Sequence, residues 1–560
     1  MAVVILSSFA IQNAFIYIRK IGNRRAVMEE AKRYREPWEF PTDTDSFETI
    51  VQTGRVYVDK TDLIYRMTRN QCVFLSRPRR FGKSLLCSTL KAYFLGKKEL
   101  FKGLAMETLE KEWVKYPVFH FNMSLMKNKT PEQMRYEMFE QVRLNAKDNG
   151  LAVPEGPTPG SSFQNLVRNA FEQTGHKAVI IIDEYDAALL HTPTGTDLFN
   201  EVQSIHQEFY ITCKACSEYL RFVFITGITK FSHVSIFSEL NNLQNISLNE
   251  DYATLCGITE AEIRRTFDND IENLALHNGM TKEEMYDTLR WKYDGFHFSE
   301  NSPGVYNPYS LMLVLSSRKL RNNWFGSATP SFLFERMKGF RTDIMKLNRT
   351  EMMPDSAFDM SIHEMDTALP LLYQSGYLTI KGYDNAVRGY VLGIPNDEVR
   401  EGLFGNFLKM LTPLNTDQRM NMVDAMNRAL RRGDVDAAMK ALQSFLSGVP
   451  YMYEGKEILE DLERLEALHQ RDLYILFNGM GLNLETEVKQ AKGRVDMVVW
   501  LPDAIYIFEF KMRGTASSAL AQIEKNLYDA PYMADPRLKV KVGVRFTCAK
   551  HTITSWKVAR

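Results

Sequence analysis

The chain has 560 residues, 45% hydrophobic and 25% charged, which excludes a disordered polypeptide; 31 Gly and 20 Pro exclude a collagen-like one. Basic and acidic residues number 69 each, so the formal net charge is zero. A histone-like polycation is thereby excluded, while a local basic patch is not. At ~150 residues per domain, three or four domains fit this length.

Taken in chain order, Ala2 to Ile18 carries no charge and is followed by Arg19, Lys20, Arg24 and Arg25. The stretch is shorter than the ~20 apolar residues a membrane span needs, and Ser7, Ser8, Gln12 and Asn13 dilute it. A signal peptide would place its basic residues first. Residues 1–39 therefore read as an N-terminal extension, and no stable membrane association is expected. Cys72, Cys87, Cys213, Cys216, Cys256 and Cys548 are too scattered for a disulfide framework, so a reducing, cytoplasmic location is expected.

From Phe47 to Asn249 strands and helices alternate. Apolar runs at Gln71 to Ser76, Tyr116 to Met123, Lys177 to Asp183 and Leu220 to Thr226 predict strands. Lys83 to Phe94, Pro131 to Ala146, Phe163 to Gln173 and Asn200 to Tyr219 predict helices. Such near-continuous apolar strands indicate a parallel sheet covered on both faces. Short helices dominate from Asp251 to Met337. Residues 338–450 read as mostly helical, with a strand pair near Tyr377 to Ile394. After Glu454 a second α/β pattern begins: helix Lys456 to Phe477, strands Leu484 to Lys489, Val495 to Trp500 and Ala504 to Lys511, helix Ser517 to Tyr528, strand Lys539 to Thr547.

Arg77-Pro78-Arg79-Arg80-Phe81-Gly82-Lys83-Ser84 follows a strand and opens a helix, the setting a phosphate cradle needs. Gly82 lets the backbone approach an anion, Lys83 reaches the outer phosphates, and the Ser84 hydroxyl suits magnesium. Arg77 stands where the general motif has Gly, so that motif is half met. Downstream, Ile180-Ile181-Ile182-Asp183-Glu184 is an apolar strand ending in two carboxylates. Asp183 is placed to hold magnesium and Glu184 to take a proton from the attacking water. Asp186 supports one of these carboxylates or lies on the surface. Thr226, ending the next strand, is a candidate sensor of the terminal phosphate. Arg79 and Arg80 are candidate nucleotide contacts and, with Arg264 and Arg265, candidate arginine fingers.

The segments Val495 to Trp500 and Ile505 to Lys511 flank Leu501-Pro502-Asp503 and read as a hairpin. Alternation puts Glu509 and Lys511 on one face and Tyr506, Phe508 and Phe510 on the other. A carboxylate and an amine are costly to bury in so apolar a strand. Asp496 begins the paired strand, Glu487 lies on the preceding one and Gln522 on the following helix. Asp496 and Glu509 are therefore candidate ligands of divalent ions, with Lys511 beside the water. Residues 481–560 hold 13 Lys or Arg against 8 Asp or Glu, a surplus of five, and Arg513, Lys539, Lys541 and Arg545 are candidate phosphate contacts.

These motifs, in this order, resemble a bacterial family of AAA-ATPase-like proteins with a C-terminal PD-(D/E)XK nuclease domain. The resemblance runs through Tyr57 to Thr61, Arg77 to Leu86, Ile182 to Asp186, Thr226 to Ser232, Ser235 to Leu243, Tyr293 to Phe296, Trp324 to Gly326 with Thr329-Pro330, Pro395 to Arg400 and the hairpin. The family itself has Arg at the position of Arg77; Cys87 departs from its usual Leu. The resemblance implies an α/β chain with residues 40–250 as the AAA-like phosphate-loop ATPase core and 251–337 as a helical lid-like region. Residues 338–453 would form a helical connector and 454–560 a restriction-endonuclease-like domain. It implies ATP and magnesium as cofactors, nucleotide contacts at Gly82, Lys83 and Ser84, metal at Ser84, Asp183, Asp496 and Glu509, water activation at Glu184, Lys511 as the catalytic lysine, and Gln522 as its helper. An ATP-regulated, magnesium-dependent nuclease acting on DNA is the first reading. A nucleotide-switched module that binds nucleic acid or protein without cutting is the second.

Overall fold

The computed structural model describes residues 35–127, 129–193, 195–229, 243–324, 347, 351–359, 367–412, 414–449, 462–490, 492–547 and 552–560. The N-terminal extension up to residue 34, the motif residues 230–242, and Phe325, Gly326, Thr329 and Pro330 lie outside the described residues. The chain divides into two compact units. One comprises Met1–Thr342 and Glu351–Asn396, the other Asp343–Thr350 and Asp397–Arg560.

The first unit contains a sheet of β1 (Cys72–Ser76), β2 (Val118–Asn122), β3 (Ala178–Asp183), β4 (Leu220–Gly227) and β5 (Gln244–Asn245), in the order β2-β3-β4-β1-β5. Every pairing in it is parallel. β3 shows why. Its sequence AVIIID is buried along its whole length. Branched side chains are stiff at χ1 and suit an extended backbone, and burial on both faces suits a central parallel strand. Each fully buried Val or Ile there contributes ~1.5–3 kcal/mol. Helices Lys83–Phe94, Pro131–Asp148, Pro159–Thr174 and Asp197–Ala215 link the strands. Thr130 and Thr158 start two of them with reciprocal capping boxes and a following Pro.

A second cluster in this unit gathers Ile263, Phe267, Ile271, Leu274, Tyr286 and Leu311 from the helical segment between Glu260 and Ser317, together with Phe40. β6 (Ile258–Thr259) and β7 (Val305–Tyr306) pair beside it. The strand pair expected near Tyr377 to Ile394 is present as β9 (Thr379–Asp384) and β10 (Gly389–Gly393), and β8 (Glu351–Pro354) adds a third antiparallel strand.

The second unit carries helices Asp397–Leu411, Thr416–Arg431, Val435–Gly448 and Leu462–Gly479. Its sheet runs β11 (Asn483–Gln490), β12 (Gly493–Trp500), β13 (Ala504–Lys511), β14 (Leu538–Thr547) and β15 (Thr552–Ala559) in sequence order. Only the β13–β14 pairing is parallel. The hairpin turn closes with Leu501 N–H donating to Ala504 O at 2.8 Å. β15 goes beyond the sequence expectation. It is an edge strand of largely polar residues, with Ile553 buried, so it carries little apolar signal. The fold class is α/β, with a parallel sheet in the first unit and a mixed one in the second. Among the described residues no helix is long and apolar enough to cross a membrane, and the five described cysteines are buried free thiols.

Candidate functional site

The carboxyl ends of β1, β3 and β4 meet because β4 lies between the other two, with Ser76 opposite Gly227 and Ile182 opposite Ile225. An open parallel sheet binds its ligands at that edge. The loop after β1 turns through Arg80 at φ +67° and Gly82 at φ +87°. A Cβ on Gly82 would meet nothing within 4 Å, so it is the left-handed backbone, not space, that favours glycine here. Lys83 opens the following helix almost buried, its Nζ donating to the carbonyls of Arg77 at 2.8 Å and Pro78 at 2.9 Å. Burial lowers its pKa, against the pull of Asp183, Glu184 and Asp186. Ser84 Oγ donates to Asp183 Oδ2 at 2.6 Å. Burial raises the Asp183 pKa, against the Ser84 bond and the Lys83 charge.

Glu184 takes a left-handed backbone at φ +50°, uncommon for a non-glycine residue. Its N–H donates to Asp183 Oδ1 at 2.9 Å, and its carboxylate accepts from Lys127 Nζ at 2.6 Å. Partial burial pushes its pKa up, but the Lys127 bond and the charges of Lys127, Lys83 and Arg79 outweigh this and hold it low. Burial and the nearby Arg79 and Lys127 charges lower the His191 pKa, so the neutral ring is favoured. Lys127 and His191 were missed from sequence. Neither belongs to a motif: the topology that brings the end of β2 beside β3 places Lys127, and the short helix Ala187–His191 after β3 places His191.

Two expected residues are placed differently. Thr226 Oγ1 donates to the Leu75 carbonyl at 2.7 Å, so the hydroxyl expected at the terminal phosphate is bonded within the sheet. Asp186 is fully buried, and its Oδ2 accepts from the N–H groups of Ile228 and Thr229 and from Thr229 Oγ1. It fixes the backbone after β4. Arg80 is exposed, its guanidinium 4.5 Å from the centre of the Tyr309 ring. Arg79 stays half-buried near Glu184, its carbonyl accepting from Trp324 Nε1 at 3.3 Å.

The structure also explains Arg77. The side chain is 2% exposed and donates to the carbonyls of Ser76, Ser247 and Tyr252, with the guanidinium 4.0 Å from the centre of the Phe298 ring. A glycine could tie none of these segments to the loop.

In the second unit the β12–β13 ladder runs from Trp500–Ile505 to Met497–Phe508. Asp496 and Glu509 are the next residues on the two strands beyond that ladder. There the Asp496 carboxylate accepts from the Phe510 N–H at 2.7 Å. Ile505, Ile507, Glu509 and Lys511 share one face of β13. Ile505 and Ile507 join Val498 and Ile523 in a core beneath helix Ala516–Asn526, and Glu509 and Lys511 continue that face. The opposite face stacks Tyr506, Phe508 and Phe510. Glu509 is 1% exposed and accepts from Lys511 Nζ at 3.0 Å. Gly543 on β14 is opposite Glu509, and a Cβ there would lie 2.3 Å from the Ala516 carbonyl. Glycine therefore lets the helix, with half-buried Gln522, settle beside Glu509. Arg545 is exposed opposite Lys511 on the same face, and Arg513 is exposed just beyond. Lys541 pairs with Asp529, Lys539 with the Asp535 carbonyl, and Glu487 with Arg494.

Among the described residues no group of three or more His, Cys, Asp or Glu is placed to hold a metal ion. Each site instead offers hard oxygen donors in small number: the Ser84 hydroxyl with Asp183, and Asp496 with Glu509. Those donors fit magnesium, which takes one or two carboxylates and completes its shell with water and phosphate.

A family model described as "Predicted AAA-ATPase" matches residues 41–237, and one described as "PD-(D/E)XK nuclease superfamily" matches residues 464–556. A protein of Azotobacter chroococcum mcd 1, "Uncharacterized protein in vnfD 5'region", is 29% identical over 511 residues, covering 90% of this chain and 95% of that protein. The solved structure of the Aeropyrum pernix ORC1 protein in complex with DNA covers 66% of this chain and 96% of its own, at 12% identity and a TM-score of 0.26, a likeness too slight to bear on function. The chain thus combines a region matching a predicted AAA-ATPase with a region toward its C-terminus matching the PD-(D/E)XK nuclease superfamily.

Proposed function

We propose that the chain binds and hydrolyses ATP with magnesium in its first unit and cuts DNA by metal-dependent phosphodiester hydrolysis in its second. The observation that carries this reading is the pairing of a lysine with magnesium-type oxygen donors at both sites, each beside cationic side chains suited to phosphate. Ser84 and Asp183 would hold one ion, and Asp496 and Glu509 another; a divalent ion so bound polarises a phosphoryl oxygen and acidifies water.

The chain's own residues supply the rest. Lys83 offsets charge on the outer phosphates, and Glu184 takes the proton of the attacking water. At the second site Lys511, already on Glu509, orients water and offsets charge on the cleaved phosphate. Arg545 and Arg513 neutralise flanking DNA phosphates. Nucleotide state governs cutting in this account. Within the first unit, Phe81 of the loop packs against Phe296 and Phe298, so a change in the loop is felt by the segment that follows Tyr293.

The test is incubation of the full chain with DNA, magnesium and ATP, beside Asp496→Ala and Lys83→Ala. Wild type cuts, Asp496→Ala binds nucleotide but leaves DNA intact, and Lys83→Ala loses ATP binding. Equal cleavage by wild type and Asp496→Ala rejects the nuclease assignment. Nucleotide and DNA binding with no cleavage by wild type would favour a switched interaction module instead.

A further inference from the structure

At the end of the parallel sheet opposite the phosphate loop lies a cavity of about 310 Å³. Its wall includes Tyr65, Arg69, Tyr93, Phe94, Tyr116 and Arg221. Arg69 lies just before β1, Tyr116 just before β2, and Arg221 is the second residue of β4, so the parallel strands gather them at their amino ends. Helix Lys83–Phe94 runs between the two ends. Its first residue, Lys83, stands at the loop, and its last two, Tyr93 and Phe94, stand on the cavity wall. Twelve residues at ~1.5 Å each put about 18 Å between them.

The charge around this cavity is unbalanced. Arg69 donates to the Tyr65 hydroxyl, Arg221 Nη1 to the Thr68 carbonyl at 3.1 Å, and Lys111 Nζ to the Thr108 carbonyl at 2.5 Å. All three acceptors are neutral, so among the described residues these cations have no ion-pair partner. The Glu110 carboxylate is engaged elsewhere: it accepts from the Tyr93 hydroxyl at 2.6 Å and from the N–H groups of Lys111 and Glu112 at 2.7 and 2.8 Å. Glu112, the other acidic residue of the wall, is exposed. A guanidinium has five donors in a fixed plane, and Arg221 leaves most of them for an anion. Four aromatic rings, with the Arg69 guanidinium 4.6 Å from the centre of the Tyr65 ring, offer flat surface beside those donors. The volume is at the lower end of the ~300–1,000 Å³ of small-molecule sites, which admits one ring system with its anionic group and not a polymer.

We propose that this cavity is a second ligand site, separate from the phosphate loop, for a small organic anion built on one planar ring system: a nucleoside monophosphate or an aromatic carboxylate. Arg69 and Arg221 take the anionic group, and the tyrosines lie against the ring.

Calorimetric titration of the full chain with AMP, CMP and hydroxybenzoate, beside uncharged adenosine, tests this in wild type, Arg69→Gln, Leu109→Trp and Lys83→Ala. The monophosphates or the carboxylate should bind once per chain, which tells the two kinds of anion apart, and adenosine should bind about tenfold more weakly or not at all. Loss of one charge-assisted hydrogen bond predicts about tenfold weaker binding in Arg69→Gln. Arg69 is exposed, and a melting curve matching wild type shows that such a loss is local. Leu109 also lines the cavity and is exposed, so Leu109→Trp should fill the space and abolish binding. Lys83→Ala should leave it unchanged. Binding of none of the three anions by wild type would overturn the proposal. So would binding that survives both Arg69→Gln and Leu109→Trp, or that is lost in Lys83→Ala alone, which would put the anion at the loop.

Discussion

The phosphate loop and the β12–β13 hairpin set the same side-chain types, lysine and carboxylate, in different kinds of frame. At the loop the groups come from three parallel strands far apart in sequence, and hydrogen bonds lock them to one another: Lys83 to loop carbonyls, Ser84 to Asp183, Lys127 to Glu184. At the hairpin, Asp496, Glu509 and Lys511 lie within 16 residues of chain; strand alternation puts Glu509 and Lys511 on one face, and the register of a single hairpin brings in Asp496. A site written into a local register can be read from sequence; a site assembled by topology shows its motifs but hides the partners that hold them.

The largest effect that would sharpen this contrast is separation of the two activities. Asp496→Asn should lower DNA cleavage by ~10³-fold or more while ATP hydrolysis stays at the wild-type rate. Glu184→Gln should do the reverse to ATP turnover with nucleotide still bound. Paired assays on one preparation check both, and a loss of both activities in either variant would break the distinction.

Next is the loop's dependence on distant carbonyls. Arg77→Gly restores the general phosphate-loop sequence, yet it strands the buried carbonyls of Ser247 and Tyr252 and leaves a void over Phe298. A loss of ~2–4 kcal/mol is expected, located in the first unit by hydrogen exchange of the full chain. Unchanged protection around β1 would show that the loop stands without Arg77.

At the hairpin the matching perturbation is Gly543→Ala. The added methyl would lie 2.3 Å from the Ala516 carbonyl and 2.5 Å from the Leu520 nitrogen, so the helix must shift from the Glu509 strand. We expect ~1–3 kcal/mol of destabilisation with slower cleavage and unaltered ATP turnover. Denaturant titration and the two assays measure this.

The smallest effect is a pH dependence of the first unit. Burial lowers the pKa of His206 and of His120 from 6.5 to about 4. Between those values the unfolded chain binds protons that the folded rings refuse, so acid favours unfolding. Stability should fall as pH drops from about 6.5 to about 4, and His206→Phe should flatten part of that slope in melts followed across the range.

Much of the first unit was legible because its strands are apolar throughout. KAVIIID and LRFVFIT announce central parallel strands, whereas the helix read from Phe163 in fact starts at Pro159 behind its Thr158 cap. The loop's Lys83 and Ser84 and the strand-end Asp183 were legible as a set, and the structure joins Ser84 to Asp183 directly. Lys127 and His191 were not, because a lone polar residue after a strand carries no periodicity or spacing. Thr226 misled for the reverse reason: a strand-end hydroxyl looks available in sequence, whereas the Leu75 carbonyl of the neighbouring strand takes it. Strands β8 and β15 were missed because short or edge strands with polar residues lack an apolar alternation to read.

The most direct test of the central account is anomalous scattering from crystals of the full chain grown with a non-hydrolysable ATP analogue and soaked in manganese. The account predicts two peaks, one beside Ser84 and Asp183 and one beside Asp496 and Glu509. Nucleotide density at the loop with no manganese peak at either pair of residues would contradict it.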